Sequence, residues 1–380
     1  MYRPRSQRRR AMSISKSHTP AVVQHAVTEI LETRAMLSAT VIDPTADIGL
    51  YFNNSSISSD ALVIDGATID GNGSHGIAID FNGVVGLNSI AINNTSASSN
   101  GETGIIISLK NMTLDTLLIQ STTVNANGDP GISFVFENVT IGSLTLFDVT
   151  ATGNDLAGIY LKSTNSTIGQ VSITESSSTG NTGDGMLFQM TGGGVTEFLL
   201  TDNSGISNNT GSGLVFNLTS APIAKVEIED NTISDNTAGD GVRFLLNNSA
   251  IAGAINGNTI LGNSGHGVNF TPTATSNMVI DFGNLASERM ITGNSISGNG
   301  GSGIQAILTR FTDFRAQLGG NTISNNGGFG WFTSAVRTAK LDVEFGNTLL
   351  DESLNTLNAN HDAAVGFDLT DDATGKVILH

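Results

Sequence analysis

The sequence predicts an all-β protein, a single-stranded right-handed parallel β-helix of about eleven rungs with three short strands per rung. Three observations predict it. A glycine-closed signature returns at a near-constant interval, apolar residues alternate with period two inside each interval, and the composition is that of turns and half-buried strands.

The repeat is the strongest of these. Asn, two or three small residues and Gly precede an apolar-any-apolar run, and the closing glycine stands at Gly76, Gly104, Gly131, Gly158, Gly185, Gly213, Gly241, Gly267, Gly303, Gly330 and Gly366. The intervals are 28, 27, 27, 27, 28, 28, 26, 36, 27 and 36 residues. A period near 27 held over so many intervals marks one solenoid rather than several domains, because a lone rung cannot bury its own apolar face.

Within a period the alternation defines the first strand, as in Leu214, Phe216 and Leu218, which point inward together. A second strand follows at Leu117 and Ile119, Leu144 and Leu146, Val171 and Ile173, and Val226 and Ile228. The third is the Asn-Thr-Ile-Ser type of segment at Asn231, Asn258, Asn294 and Asn321. The asparagine four residues before the glycine, at Asn72, Asn100, Asn127, Asn154, Asn181, Asn209, Asn263, Asn299 and Asn326, with Asn236 shifted by one, is expected to form a structural amide ladder.

Composition agrees with this reading and limits function. The chain has 380 residues, 45 of them Gly, with 38% apolar and only 13% charged side chains. β-Branched residues suit a pleated surface, and Asn and Gly tolerate the positive φ of tight corners. Residues 1–39 hold seven of the 17 basic residues and two acids, Glu29 and Glu32, leaving 32 acidic against 10 basic side chains and a charge near −22. Such a body repels phosphate backbones, so nucleic acid is not an expected partner. With no cysteine, disulfides and thiolate metal sites are excluded. No stretch approaches the length of a membrane span.

Residues 1–39 read as a basic leader ahead of a β-helix domain over 40–380. Thr19 and Pro20 provide a helix start, and Val23, Val27, Ile30 and Leu37 follow at helical spacing, so Thr19 to Ser38 is expected to be an amphipathic helix capping the solenoid. The run Leu31, Glu32, Thr33, Arg34, Ala35, Met36, Leu37, Ser38, Ala39 resembles the Leu-Glu-Pro-Arg-x-Leu-Leu-Ser-Ala motif that opens many secreted and surface proteins of planctomycete type. That resemblance implies export, and a secreted or cell-surface location. Over residues 60–370 the repeats resemble the pectate-lyase-like right-handed β-helix superfamily, which includes polysaccharide lyases, polygalacturonases, epimerases, phage tailspikes and proteins without known activity.

Gly265, His266, Gly267 resembles the Gly-His-Gly of polygalacturonases, but the repeat accounts for it. His266 fills the slot before the closing glycine, which other rungs give to His75, Thr103, Pro130, Ala157, Asp184, Ser212, Asp240, Ser302 and Phe329. The companion signatures of that enzyme are missing, and Asp371 and Asp372 lie far along the chain. If the slot faces solvent, Asp240 and His266 sit one rung apart with Asp184 two rungs from Asp240, and Arg243 and Asn269 emerge beside them. Asp240, His266 and Arg243 are therefore the candidate catalytic residues, and Asp184, Asp240, Arg243, His266 and Asn269 the candidate ligand-binding ones.

The two 36-residue intervals place extra residues after Phe282, Gly283, Asn284 and after Phe345, Gly346, Asn347. Their insertions carry Glu288, Arg289, Asp351 and Glu352, and Glu288 and Arg289 complete the candidate ligand-binding set. No His-rich metal spacing or cofactor fingerprint is present, and the acidic body could attract divalent cations, calcium among them. The expected function is an exported or cell-surface β-helix with a structural or ligand-binding role toward acidic extracellular polysaccharide or another surface protein. The alternatives are a polysaccharide lyase or glycoside hydrolase, and a fragment of a larger surface adhesin.

Overall fold

In the computed structural model the described residues are 30–31, 34–38, 47–54, 60–203, 205–282, 293–310, 312–345, 355–370 and 373–379, and they form a parallel β-helix. Each rung contributes to three columns of strands. The first column runs from Leu50–Asn53 and Ile77–Asn82 through Leu214–Thr219 and Val242–Asn247 to Trp331–Val336 and Val365–Thr370, every pairing parallel. In the second column Leu117, Leu144, Val171, Phe198 and Val226 stand in register. In the third, Ile206, Ile233, Ile260, Ile296 and Ile323 do so.

The alternating pattern puts one side-chain set inside. Phe188, Phe216, Phe244 and Phe270 stack along the first column with centroids 5.5, 5.0 and 5.0 Å apart. That separation is close to the strand spacing, so identical residues at one position make an aromatic stack with no voids between rungs.

Two buried amide ladders tie the rungs together, the first along most of the body and the second along its later half. The ladder expected from the sequence extends from Asn72 to Asn360, and in it each Oδ1 accepts both the backbone N–H and the Nδ2–H of the preceding rung's asparagine. Asn236 keeps its place despite its one-residue offset. A second ladder, Asn203, Asn231, Asn258, Asn294, Asn321 and Asn355, lies at the entry to the third column. Nδ2 also bonds the carbonyl three residues before the preceding asparagine, as Asn154 does to Val124 at 3.0 Å, so amides within the ladder are bonded at both ends, while Asn72 Oδ1 at its start is buried without a partner.

The closing glycine is required by the next rung. A Cβ on Gly131 would stand 2.8 Å from Asn154 Nδ2 and 2.8 Å from the Gly158 carbonyl. This requirement corrects the end of the repeat: Trp331 pairs with Val365, so Ala364, not Gly366, takes the closing position, 34 residues after Gly330. Alanine is accommodated there because no following amide presses on it among the described residues. At the other end Gly49 closes a rung that precedes Gly76.

The helix expected over Thr19 to Ser38 is not formed where the chain is described. Ile30–Leu31 and Arg34–Ser38 are strands, and the latter pairs in parallel with Ala61–Asp65, which puts Leu37 in register with Ile64. An open sheet edge leaves backbone N–H and C=O groups that a strand satisfies and a helix does not. Residues 1–29 lie outside the described residues. Both long insertions leave from the corner between the second and third columns, because Asn258 to Asn294 and Asn321 to Asn355 keep their ladder bonds across them. Glu288, Arg289, Asp351 and Glu352 fall outside the described residues.

Candidate functional site

The candidate residues lie on the outer side of the first column, in two neighbouring rows. The first row is the slot before the closing glycine, and its side chains cap the backbone of the next rung. Asp184 Oδ1 accepts from the Ser212 N–H at 2.7 Å, Ser212 Oγ from the Asp240 N–H at 3.1 Å, and Asp240 Oδ1 from the His266 N–H at 2.7 Å. His266 Nδ1 then accepts from the Ser302 N–H at 2.8 Å, and Ser302 Oγ from the Phe329 N–H at 3.2 Å. His75 does the same for Thr103. The slot therefore does not simply face solvent, as the spacing suggested. Asp240 is only 6% exposed, because its carboxylate turns back along the column to meet an N–H that would otherwise lack a partner.

The second row lies two residues past the glycine. Arg243 pairs in register with Asn269, Asn269 with Gln305, and Gln305 with Phe332. Asn269 Nδ2 donates to Asp240 Oδ2 at 2.9 Å, which occupies the second carboxylate oxygen. Arg243 Nε is 3.8 Å from the same oxygen, an ion-pair separation beyond hydrogen-bond distance; Nε itself is buried without a hydrogen-bond partner, while the side chain as a whole is 43% exposed. Asn269 Oδ1 is likewise buried without a partner. The structure thus gathers Asp240, Arg243, His266 and Asn269, with Asp184 two rungs away along the capping row.

The electrostatics follow from this packing. Burial holds the His266 imidazole below its ordinary pKa, with Asp240 pulling it up and Arg243 pushing it further down. Because Nδ1 accepts from a backbone N–H, the neutral ring carries its proton on Nε2. Burial raises Asp184, against the lowering effects of the Ser212 N–H and of Arg243. Both Asp240 oxygens already hold hydrogen bonds, so it has little capacity left as a general base. What the patch offers a ligand is the exposed part of the Arg243 guanidinium, which is the chemistry of carboxylate recognition.

Among the described residues no group of three or more metal-ligating side chains is close enough to hold an ion, and no helix is long and apolar enough to cross a membrane. A shallow depression of about 460 Å³ lies elsewhere, on the outer side of the second column, floored by Val63, Ala91 and Leu118 with Asp60 at its edge. One feature of the candidate face is absent from the sequence reading. Phe329 and Phe332 stack with centroids 5.0 Å apart and rings 25° from parallel, both half-buried. The signal was present as two aromatic residues in outward positions of one rung.

No family model and no curated protein matches the chain. Among solved structures it is similar to the periplasmic alginate epimerase AlgG. One crystal structure of a variant of that enzyme is 11% identical, covers 88% of this chain and 85% of its own, and has a TM-score of 0.40. A double variant gives 11%, 87%, 84% and 0.44, and the unsubstituted enzyme 10%, 87%, 83% and 0.38. At this identity the likeness is one of fold alone.

Proposed function

We propose that this chain is an exported or cell-surface β-helix that binds extracellular polysaccharide along the outer side of its first column, in a structural or ligand-binding role. The observation that carries the reading is the division of labour around Asp240. Asp240 and His266 Nδ1 are held by hydrogen-bond donors of the protein, while the Arg243 guanidinium, whose Nε lies 3.8 Å from Asp240 Oδ2, leaves 43% of its side chain exposed. A uronate carboxylate fits the exposed part of that guanidinium.

The acidic body opposes a polyanionic ligand at long range. Screening limits that repulsion to about 8 Å at physiological salt, so the local guanidinium decides the encounter. Asp184 and His266 border the ligand in this reading, and calcium would help by neutralising the acidic surface.

The test is retention of the full chain on immobilised acidic and neutral polysaccharides, with and without calcium, alongside assays for new unsaturated and reducing ends. The reading expects retention on an acidic polysaccharide, about tenfold weaker binding in Arg243→Ala, and no release of product. Product release that Asp240→Asn or Arg243→Ala abolishes would make the chain a lyase or hydrolase instead. Failure to bind any member of the panel refutes the proposal.

A further inference from the structure

The paired rings of Phe329 and Phe332 are placed where the proposed ligand would pass. Phe332 is in register with Gly366, and a Cβ on Gly366 would stand 2.6 Å from the Phe329 ring. The glycine that the repeat does not need at this position is thus the residue that lets the Phe329 ring lie across the following rung. Packed in this way, the two rings stand face to face and still half in water. A pyranose ring offers the matching surface, since its axial C–H groups form an apolar face that packs on an aromatic ring while its hydroxyls remain hydrated.

The rings also stand in line with the polar groups. From Arg243 the register runs through Asn269 and Gln305 to Phe332, which is three strand spacings, or about 14 Å along the solenoid axis. We propose that Phe329 and Phe332 form a sugar-stacking subsite that acts with Arg243 as a ruler, so that the ligand is a linear oligosaccharide with a carboxylate at Arg243 and an apolar pyranose face about 14 Å away on the two phenylalanines. This rests on the polysaccharide-binding reading above and adds a direction, a minimum length and a chemical polarity to it.

The experiment is isothermal titration of the full chain with oligogalacturonides of increasing length, from the disaccharide upward, and with cello-oligosaccharides of the same lengths. The expected result is a step in affinity of about tenfold once the oligouronide is long enough to reach both ends. Phe332→Ala removes that step and leaves the affinity of the short oligouronides unchanged, whereas Phe332→Tyr, which keeps a ring, retains it. Arg243→Ala abolishes the preference for the oligouronide over the neutral chain while the length step survives. If Phe332→Ala and Phe329→Ala bind long oligouronides as tightly as the unsubstituted protein while Arg243→Ala does not, the stacking subsite is refuted and the binding reading stands. If no oligosaccharide of either series binds, both fall. Thermal unfolding of each variant separates loss of the rings from loss of the fold, and a Phe332→Ala protein that melts with the unsubstituted one but lacks the step supports the proposal.

Discussion

Replacing Asn154 by alanine probes the ladder where it is deepest. Asn154 is fully buried, and its Oδ1 accepts from the Asn127 N–H and Nδ2–H, both at 3.0 Å. Its Nδ2 donates to the Val124 carbonyl at 3.0 Å and to Asn181 Oδ1 at 2.9 Å. Alanine leaves the Asn127 N–H, one Asn127 Nδ2 proton and the Val124 carbonyl without partners, while Asn181 Oδ1 keeps the Asn154 backbone N–H. Each orphaned buried group costs about 1–3 kcal/mol, so the expected loss for the three is about 3–9 kcal/mol. That is a large share of the stability of an ordinary domain, about 5–15 kcal/mol. Asn111→Gly is the matched control, because Asn111 belongs to an exposed row of amides and has φ 50°, which glycine adopts freely. It should cost no more than about 0.5 kcal/mol. Native-state hydrogen exchange read by peptide, together with denaturant unfolding, measures both, and exchange should accelerate most in the rungs next to residue 154. A loss below about 1 kcal/mol for Asn154→Ala, or one equal to that of Asn111→Gly, would refute the claim that the buried amides hold the rungs together.

Three other outcomes follow from the same geometry. Gly131→Ala should lower the urea midpoint by the equivalent of about 1–3 kcal/mol, because its Cβ meets Asn154 Nδ2 and the Gly158 carbonyl, whereas Ala364→Gly, with no amide pressed against it, should change stability by less than about 1 kcal/mol. His266 has a folded pKa below the unfolded value of about 6.5, so the unfolded chain takes up its proton first as pH falls; its contribution is intact above about 6.5 and is lost below it. His266→Ser, which keeps an acceptor as Ser212 and Ser302 do, should flatten the melting temperature between pH 7 and 5 relative to the parent, with Asp240 and Arg243 as the charges facing the ring; an unchanged pH profile would show that His266 is not the group responsible. Asp240→Ala should be more destabilising than Asp240→Asn, since alanine leaves the His266 N–H and Asn269 Nδ2 unpaired while asparagine keeps an acceptor, and thermal unfolding of the two variants decides it.

The fold was legible because a β-helix writes each structural requirement once per rung. The Asn-x-x-x-Gly spacing reflects a single contact, the amide of one rung against the glycine of the rung before it, repeated along the axis. For the same reason the reading went astray where that contact ends: Gly366 looked like a closing glycine, yet Ala364 fills the position and Gly366 makes room for the Phe329 ring. The second ladder through Asn203 and Asn355 was visible only in part, as the Asn-Thr-Ile-Ser type of segment, because Asn203 and Asn355 lack the Thr-Ile or Ser-Ile pair that directly follows the others.

The candidate site was legible as a position and not as a state. Register placed Asp240, Arg243, His266 and Asn269 correctly beside one another. Their burial and hydrogen bonds depend on which way each side chain turns, and a slot that holds Asp, Ser and His in successive rungs looks the same in sequence whether those groups reach for a substrate or for the next backbone N–H. The stacked phenylalanines escaped the reading because they occupy two different rows of one rung, so no periodicity announces them.

The stacking of successive rungs at one spacing is the claim on which the ladders, the capping row and the proposed ruler all depend. The chain has no cysteine, so spin labels placed through Ser108→Cys and Thr271→Cys report one distance without competing sites. These residues are six register steps apart, through Val135, Lys162, Gln189, Asn217 and Leu245, which corresponds to about 29 Å between their backbones. A narrow distribution near that value in a pulsed electron-spin measurement is the predicted result, and a distribution centred far from it, or split between separate populations, would contradict the account.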